Sequence, residues 1–200
     1  MAGNWKMYKT PQETRAFFEK FVPAAGVSGR EIVICPPFVD LAAAVEATEG
    51  SRVEIGGQNL YWKKEGAFTG EISGPMLAAA GAKWVIIGHS ERRQYFGETD
   101  ETVYQRTVAA LEAGLKPIVC VGERLEEREG GRTEQVLGTQ FNDGIGKLTP
   151  EQFAKIVIAY EPVWAIGTGK TATPEIAEAA HKFLRGQAEA KYGKDAAAAV

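Results

Sequence analysis

Three polar groups stand where apolar strands end, and each is a residue type suited to moving protons or holding negative charge. Asn4 and Lys6 alternate with Trp5 and Met7, so a period of two would put both polar side chains on one face of a strand. His89 follows the apolar run Trp84-Val85-Ile86-Ile87-Gly88 and opens Ser90-Glu91-Arg92-Arg93. A histidine at such a turn feels the positive end of the following helix, which favours neutral imidazole. Glu161 closes the run Ile156-Val157-Ile158-Ala159-Tyr160. Burying a carboxylate there costs free energy unless it is paired or used, and partial burial raises its pKa toward that of a general base. The bland alternatives are a snorkelling lysine, a structural histidine and a charge reaching solvent. All three weaken if the strand ends converge on one mouth.

Downstream of Glu161, Val163-Trp164-Ala165-Ile166-Gly167-Thr168-Gly169-Lys170 reads as a glycine-flanked lid whose backbone N–H groups could hold an anion. Gly169-Lys170-Thr171 invites a nucleotide-binding reading, but that motif needs glycine at position 164, which is tryptophan. His181 lies among alanines and lysines and reads as a surface residue.

The elements that must position these groups alternate in order. Strand-like runs are expected at Gly3–Met7, Glu31–Cys35, Val53–Gln58, Trp84–Gly88, Pro117–Val121 and Ile156–Tyr160. Helical patterns lie between and after them, at Pro11–Val22, Val39–Thr48, Pro75–Ala80, Glu101–Ala113, Glu134–Gly144 and Pro174–Lys191. Thr10-Pro11, Ser73-Gly74-Pro75 and Thr173-Pro174 supply start signals, and Gly81, Gly114 and Gly144 supply stop signals. Six β-then-α units imply an α/β fold with a parallel sheet and right-handed crossovers, as an open doubly wound sheet or a closed barrel. Strand one lacks the GxGxxG turn that the open form favours. In either form, function sits at the carboxyl ends of the strands.

Length and composition agree. Two hundred residues with 44% hydrophobic and 24% charged side chains fit one soluble domain spanning residues 1–200. A net charge of −3 argues against nucleic acid as the main partner. Cys35 and Cys120 sit in apolar runs without metal-ligand spacing, so buried free thiols are expected and no metal. No apolar run approaches a membrane span, and Met1–Lys6 has no signal-peptide core, so the cytoplasm is the expected compartment.

Three segments carry a resemblance: Ala2–Met7, Ile87–Arg93 and Ala159–Lys170, supported by Gln58-Asn59 and the loop Gly66–Ile72. In these the sequence resembles the triosephosphate isomerase family over its whole length. The resemblance implies a (β/α)8 barrel of which about six units are present. It also implies cofactor-free interconversion of dihydroxyacetone phosphate and glyceraldehyde 3-phosphate, a step of glycolysis and gluconeogenesis. The pairing of a glutamate base with a neutral histidine is what the resemblance to that family implies, not something spacing shows. Glu161 would be the base and His89 the electrophile, with Lys6 stabilising the enediolate. Asn4 and the Gly167 N–H would hold substrate, while Ser90 and Glu91 would support the site, Glu91 beside Lys6. The loop bearing Thr69 would insert into a partner subunit, making a homodimer.

The resemblance further implies that strands seven and eight are missing after the run Asp195–Val200, that strand one is clipped, and that a longer reading frame exists. Three phosphate contacts from the missing loops would be worth about 4.5–9 kcal/mol, or about 10³–10⁶ in rate. The rival reading is a non-catalytic barrel fragment or interaction module. Another phosphosugar isomerase is disfavoured, because both Glu161 and His89 keep the pattern.

Overall fold

A computed structural model describes residues 1–26 and 29–199, so Val200, the last of the terminal run, lies outside the described residues. The chain forms two compact units, one of residues 1–87 with 109–117, the other of residues 88–108 with 118–200.

The first unit carries β1 (Ala2–Asn4), β2 (Ile32–Cys35), β3 (Val53–Gly57) and β4 (Trp84–Ile87), parallel and side by side in chain order. Register is set residue by residue: Asn4 faces Cys35, Ile34 faces Ile55, and Gly57 faces Val85. β2 and β4 are buried at every position, which explains their unbroken apolar runs. Around them lie α1 (Pro11–Ala24), a short 3-10 turn at Phe38–Asp40 leading into α2 (Leu41–Ala47), and α3 (Gly74–Ala79). Helix α1 begins with a reciprocal cap: the Glu13 N–H donates to Thr10 Oγ1, and Glu13 Oε2 accepts from the Thr10 N–H at 2.8 Å. Its Phe17 and Phe18 rings pack against Trp5 at 5.0 and 5.6 Å.

The second unit carries α4 (Ser90–Tyr95), most of α5 (Asp100–Glu112), β5 (Lys116–Val121) from Ile118 onward, α6 (Leu125–Glu129) and α7 (Thr133–Gln140). A widened turn at Phe141–Ile145 follows, then α8 (Pro150–Phe153), β6 (Val157–Tyr160), a 3-10 turn at Val163–Ala165, α9 (Pro174–Tyr192) and α10 (Lys194–Ala199). β5 and β6 pair in parallel from Ile118 with Val157 to Val121 with Tyr160.

Two expectations are corrected. The first strand stops at Asn4 instead of Met7, because Lys6 takes the left-handed region at φ 54°. The alternation that put Asn4 and Lys6 on one strand face therefore does not hold. Gly144 is not a helix stop: α7 ends at Gln140 and Gly144 lies inside the widened turn, whereas Gly81 and Gly114 do end helical segments at φ 91° and 76°. Both cysteines are buried free thiols, and burial pushes the Cys35 thiol up to about 12.

Candidate active site

In the first unit, the turn after β1 is held by backbone and amide contacts. The Lys6 N–H donates to Asn4 Oδ1 at 2.9 Å, and Gln58 Nε2 donates to Lys6 O at 2.8 Å and to Cys35 O at 2.9 Å. Gln58 thus ties the left-handed Lys6 to the end of β2. Thr69 is exposed in a loop braced by Phe68 against Tyr61, with ring centroids 4.6 Å apart.

In the second unit, the link from β4 to α4 turns at Gly88, which has φ 70° and where a Cβ would lie 2.7 Å from Val103 Cγ2, so only glycine fits. His89 then caps α4, its Nδ1 accepting the Glu91 N–H at 3.3 Å. The Glu91 carboxylate lies 3.6 Å from the same nitrogen. Nε2 sits 3.1 Å from Glu161 Oε2.

Glu161 comes directly after β6, and its N–H donates to Val121 O at 2.9 Å, one rung beyond the last strand pair. Its carboxylate accepts the Ser90 N–H at 2.6 Å on Oε1 and the Ser90 hydroxyl at 3.1 Å on Oε2. The side chain is only 14% exposed and that of His89 only 12%. Burial pushes the Glu161 carboxyl up to about 7. The two Ser90 hydrogen bonds and the Arg93 charge pull it down, and Glu91 adds a smaller push upward. His89, Ser90 and Glu161 are therefore brought together, with Glu91 on the far side of the imidazole. A cavity of about 360 Å³ lined by Ser90, Arg93, Gly122, Gln140, Glu161 and Val163 opens beside them. A roomier cavity of about 660 Å³ lies in the first unit, lined by Arg30, Glu31 and Arg52 before β2 and β3. Volume alone does not locate chemistry, and the amino ends of parallel strands are the face where stability is built.

Gly167 is exposed at φ 68°, beyond the Val163–Ala165 turn, and Thr168 Oγ1 donates to Trp164 O at 2.7 Å. Trp164 is anchored by a residue that the sequence reading missed. Glu123, fully buried, accepts from Trp164 Nε1 at 2.9 Å and from the Tyr160 hydroxyl at 3.1 Å to both oxygens, with Arg128 Nη1 at 3.4 Å. The Arg128 guanidinium also lies 4.7 Å over the Trp164 ring. The signal was available: Glu123 follows an apolar strand as Glu161 does. His181 is exposed, its ring meeting Tyr160 edge-on at 6.1 Å. Among the described residues no group of three or more His, Cys, Asp or Glu could hold a metal ion, and no helix is long and apolar enough to cross a membrane.

The chain is similar to known proteins along its whole length. The family model described as "Triosephosphate isomerase" matches residues 1–200. A relative named triosephosphate isomerase from Solibacter usitatus is 70% identical over 201 residues, covering 100% of this chain and 81% of the relative. Relatives of the same name from Moorella thermoacetica and Caldanaerobacter subterraneus subsp. tengcongensis are 52% and 49% identical, covering 99% and 100% of this chain and 80% and 81% of theirs. The α/β fold of parallel strands each followed by helix agrees with the barrel architecture expected of that family. With the fold, the three strand-end segments and these similarities in agreement, the chain belongs to the triosephosphate isomerase family.

Proposed function

We propose that the chain interconverts dihydroxyacetone phosphate and glyceraldehyde 3-phosphate, as an aldose–ketose isomerase, with Glu161 and His89 as its proton-transfer pair. The observation that carries this reading is the 3.1 Å approach of His89 Nε2 to a Glu161 carboxyl whose burial pushes it up to about 7. A base poised near neutrality is ionised in a useful fraction, yet basic enough to take a carbon-bound proton. Glu161 takes that proton from one carbon and returns it to the neighbouring carbon. His89 donates Nε2–H to the carbonyl oxygen and relays protons between the two oxygens. The exchange is redox-neutral within the substrate, since the proton and electron pair that leave one carbon reappear on the next.

In the present arrangement both Glu161 oxygens are engaged by Ser90, so the carboxylate must leave Ser90 to meet a substrate carbon. The Pro162–Lys170 segment is the lid whose movement permits this, with the Gly167 N–H reaching phosphate. Lys6 stabilises the enediolate charge, Asn4 positions substrate, and Glu91 supports Lys6. The chain acts as a homodimer through the Thr69 loop, in the cytoplasm. Family membership and the intact Glu161–His89 pair favour this reading over a non-catalytic module.

The test is turnover of either triose phosphate by Glu161→Gln and His89→Gln, each with a binding measurement. Loss of turnover with binding retained supports the assignment. Undiminished turnover in Glu161→Gln refutes the base.

A further inference from the structure

The paired strands β5 and β6 end at Val121 and Tyr160, and the ladder closes with the Glu161 N–H on Val121 O. The next residue, Gly122, is buried and lies against Glu161 so closely that a Cβ there would sit 1.8 Å from the Glu161 carbonyl oxygen. Its own polar groups do not continue the ladder. Both go to a single side chain, because the Gly122 N–H donates to Gln140 Oε1 at 2.8 Å and Gln140 Nε2 donates to Gly122 O at 3.1 Å. A side-chain amide is suited to this, offering one acceptor and one donor in a plane as a neighbouring peptide would.

Gln140 is itself fixed. It is the last residue of α7, and the helix widens immediately afterwards, the Gly146 N–H reaching back to Phe141 O at 2.6 Å across five residues. Buried Phe141 and Ile145 anchor that turn, and Asn142 Nδ2 satisfies Gly138 O at 2.8 Å. Such widened turns inside helices recur at functional sites, where they re-aim one side chain. Gln140 and Glu161 also line the same 360 Å³ cavity.

We propose that Gln140 is a positioning residue for proton transfer: its amide clamps Gly122, and Gly122 in turn fixes the backbone of Glu161 beside His89 and Ser90. This rests on Glu161 being the base, and it concerns where that base is held, not whether it is used. A misplacement of a reacting group by a fraction of an ångström is expensive in rate even when binding survives.

The experiment compares Gln140→Leu, which keeps bulk but loses both hydrogen bonds, with Gln140→Glu. A protonated carboxyl reproduces the amide's acceptor and donor, whereas a carboxylate repels Gly122 O. Expected in Gln140→Leu is a fall in kcat of about 10-fold with KM little changed. In Gln140→Glu the fall is similar at high pH, but its rate relative to wild type recovers as pH drops through the range where the new carboxyl protonates. The ratio removes the titration that wild-type Glu161 contributes, and any shift of Glu161 in the variant is read separately from its carboxyl resonance and corrected for. The Glu161 carboxyl, faced by His89, Ser90, Glu91 and Arg93, is followed in parallel by its carbon-13 resonance, which needs no turnover. Its titration midpoint moves in Gln140→Leu and stays in Gln135→Leu, an exposed site on the same helix. An unmoved midpoint, wild-type kcat in folded Gln140→Leu, or a flat ratio in Gln140→Glu overturns the clamp. If Gln140→Leu fails to fold, the pH ratio of Gln140→Glu decides alone. Turnover by Glu161→Gln overturns the base assignment, and the clamp's part in catalysis with it, whereas dead Glu161→Gln beside wild-type Gln140 variants overturns the clamp only.

Discussion

Two glutamates in the second unit follow closely on paired parallel strands, Glu123 two residues past the buried end of β5 and Glu161 directly after the half-buried β6, and they have opposite fates. Glu123 is fully buried and receives donors from Tyr160, Trp164 and Arg128, on both oxygens and from fixed aromatic and cationic groups. Glu161 keeps 14% exposure, takes both of its hydrogen-bond donors from Ser90, and is pushed up to about 7 by burial that those donors and the Arg93 charge do not fully offset. Burial alone therefore does not make a base. A carboxylate surrounded by enough donors, one of them cationic, becomes a structural anchor. One that is buried and under-compensated is left free to accept a proton.

The largest expected effect separates the two in rate. Glu161→Gln should lose about 10³-fold or more in kcat, while Glu123→Gln loses only what the altered lid anchor costs, measured in the same assay. Equal losses would erase the functional distinction. Stability should then move in opposite directions. Between pH 4.5 and about 7 the folded state retains a proton on Glu161 that the unfolded chain has released, so this group makes stability fall as pH rises through that window. Glu161→Gln should accordingly gain up to about 3 kcal/mol at pH 8 and nothing at pH 4 in urea unfolding. In contrast, Glu123→Gln should lose about 2–3 kcal/mol at pH 8, because the Arg128 guanidinium loses its counterion and the Trp164 N–H must share one remaining acceptor. A stabilised Glu123→Gln would break the comparison. The smallest effect sharpens it. Ser90→Ala removes the 3.1 Å hydroxyl bond that holds the Glu161 carboxyl down, so the acidic limb of kcat/KM should move above about 7. The accompanying change is about 1 kcal/mol.

Much of this site was legible in the sequence, for physical reasons. The apolar run before His89 is β4, buried at every position, whereas the run before Glu161 forms β6, which is apolar yet only half-buried. α4, α6 and α8 were not separately visible, since four to six residues are too few to display a helical period; α3, just as short, was visible through its Ser73-Gly74-Pro75 start and Gly81 stop. The face shared by Asn4 and Lys6 was misread because a left-handed residue is invisible to a period-two argument. Gln140 left no local trace at all: its partner is 18 residues away and its role depends on tertiary placement. Glu123 obeyed the rule that found Glu161, yet it was not singled out among the strand ends.

The left-handed backbone at Lys6 and Lys9, with φ of 54° and 78°, sets up a conflict for anyone trying to make this chain more heat-resistant. Both positions favour glycine, and a design method that scores backbone comfort alone would replace both lysines. At position 9 the exchange removes an ammonium lying 5.4 Å from the Trp5 ring centroid and 5.6 Å from that of Phe17. At position 6 it removes the cation assigned above to the enediolate. Under the role proposed for Lys6, screening libraries for melting temperature would enrich a sturdier but chemically silent variant, and only a screen that also counts product would keep that residue.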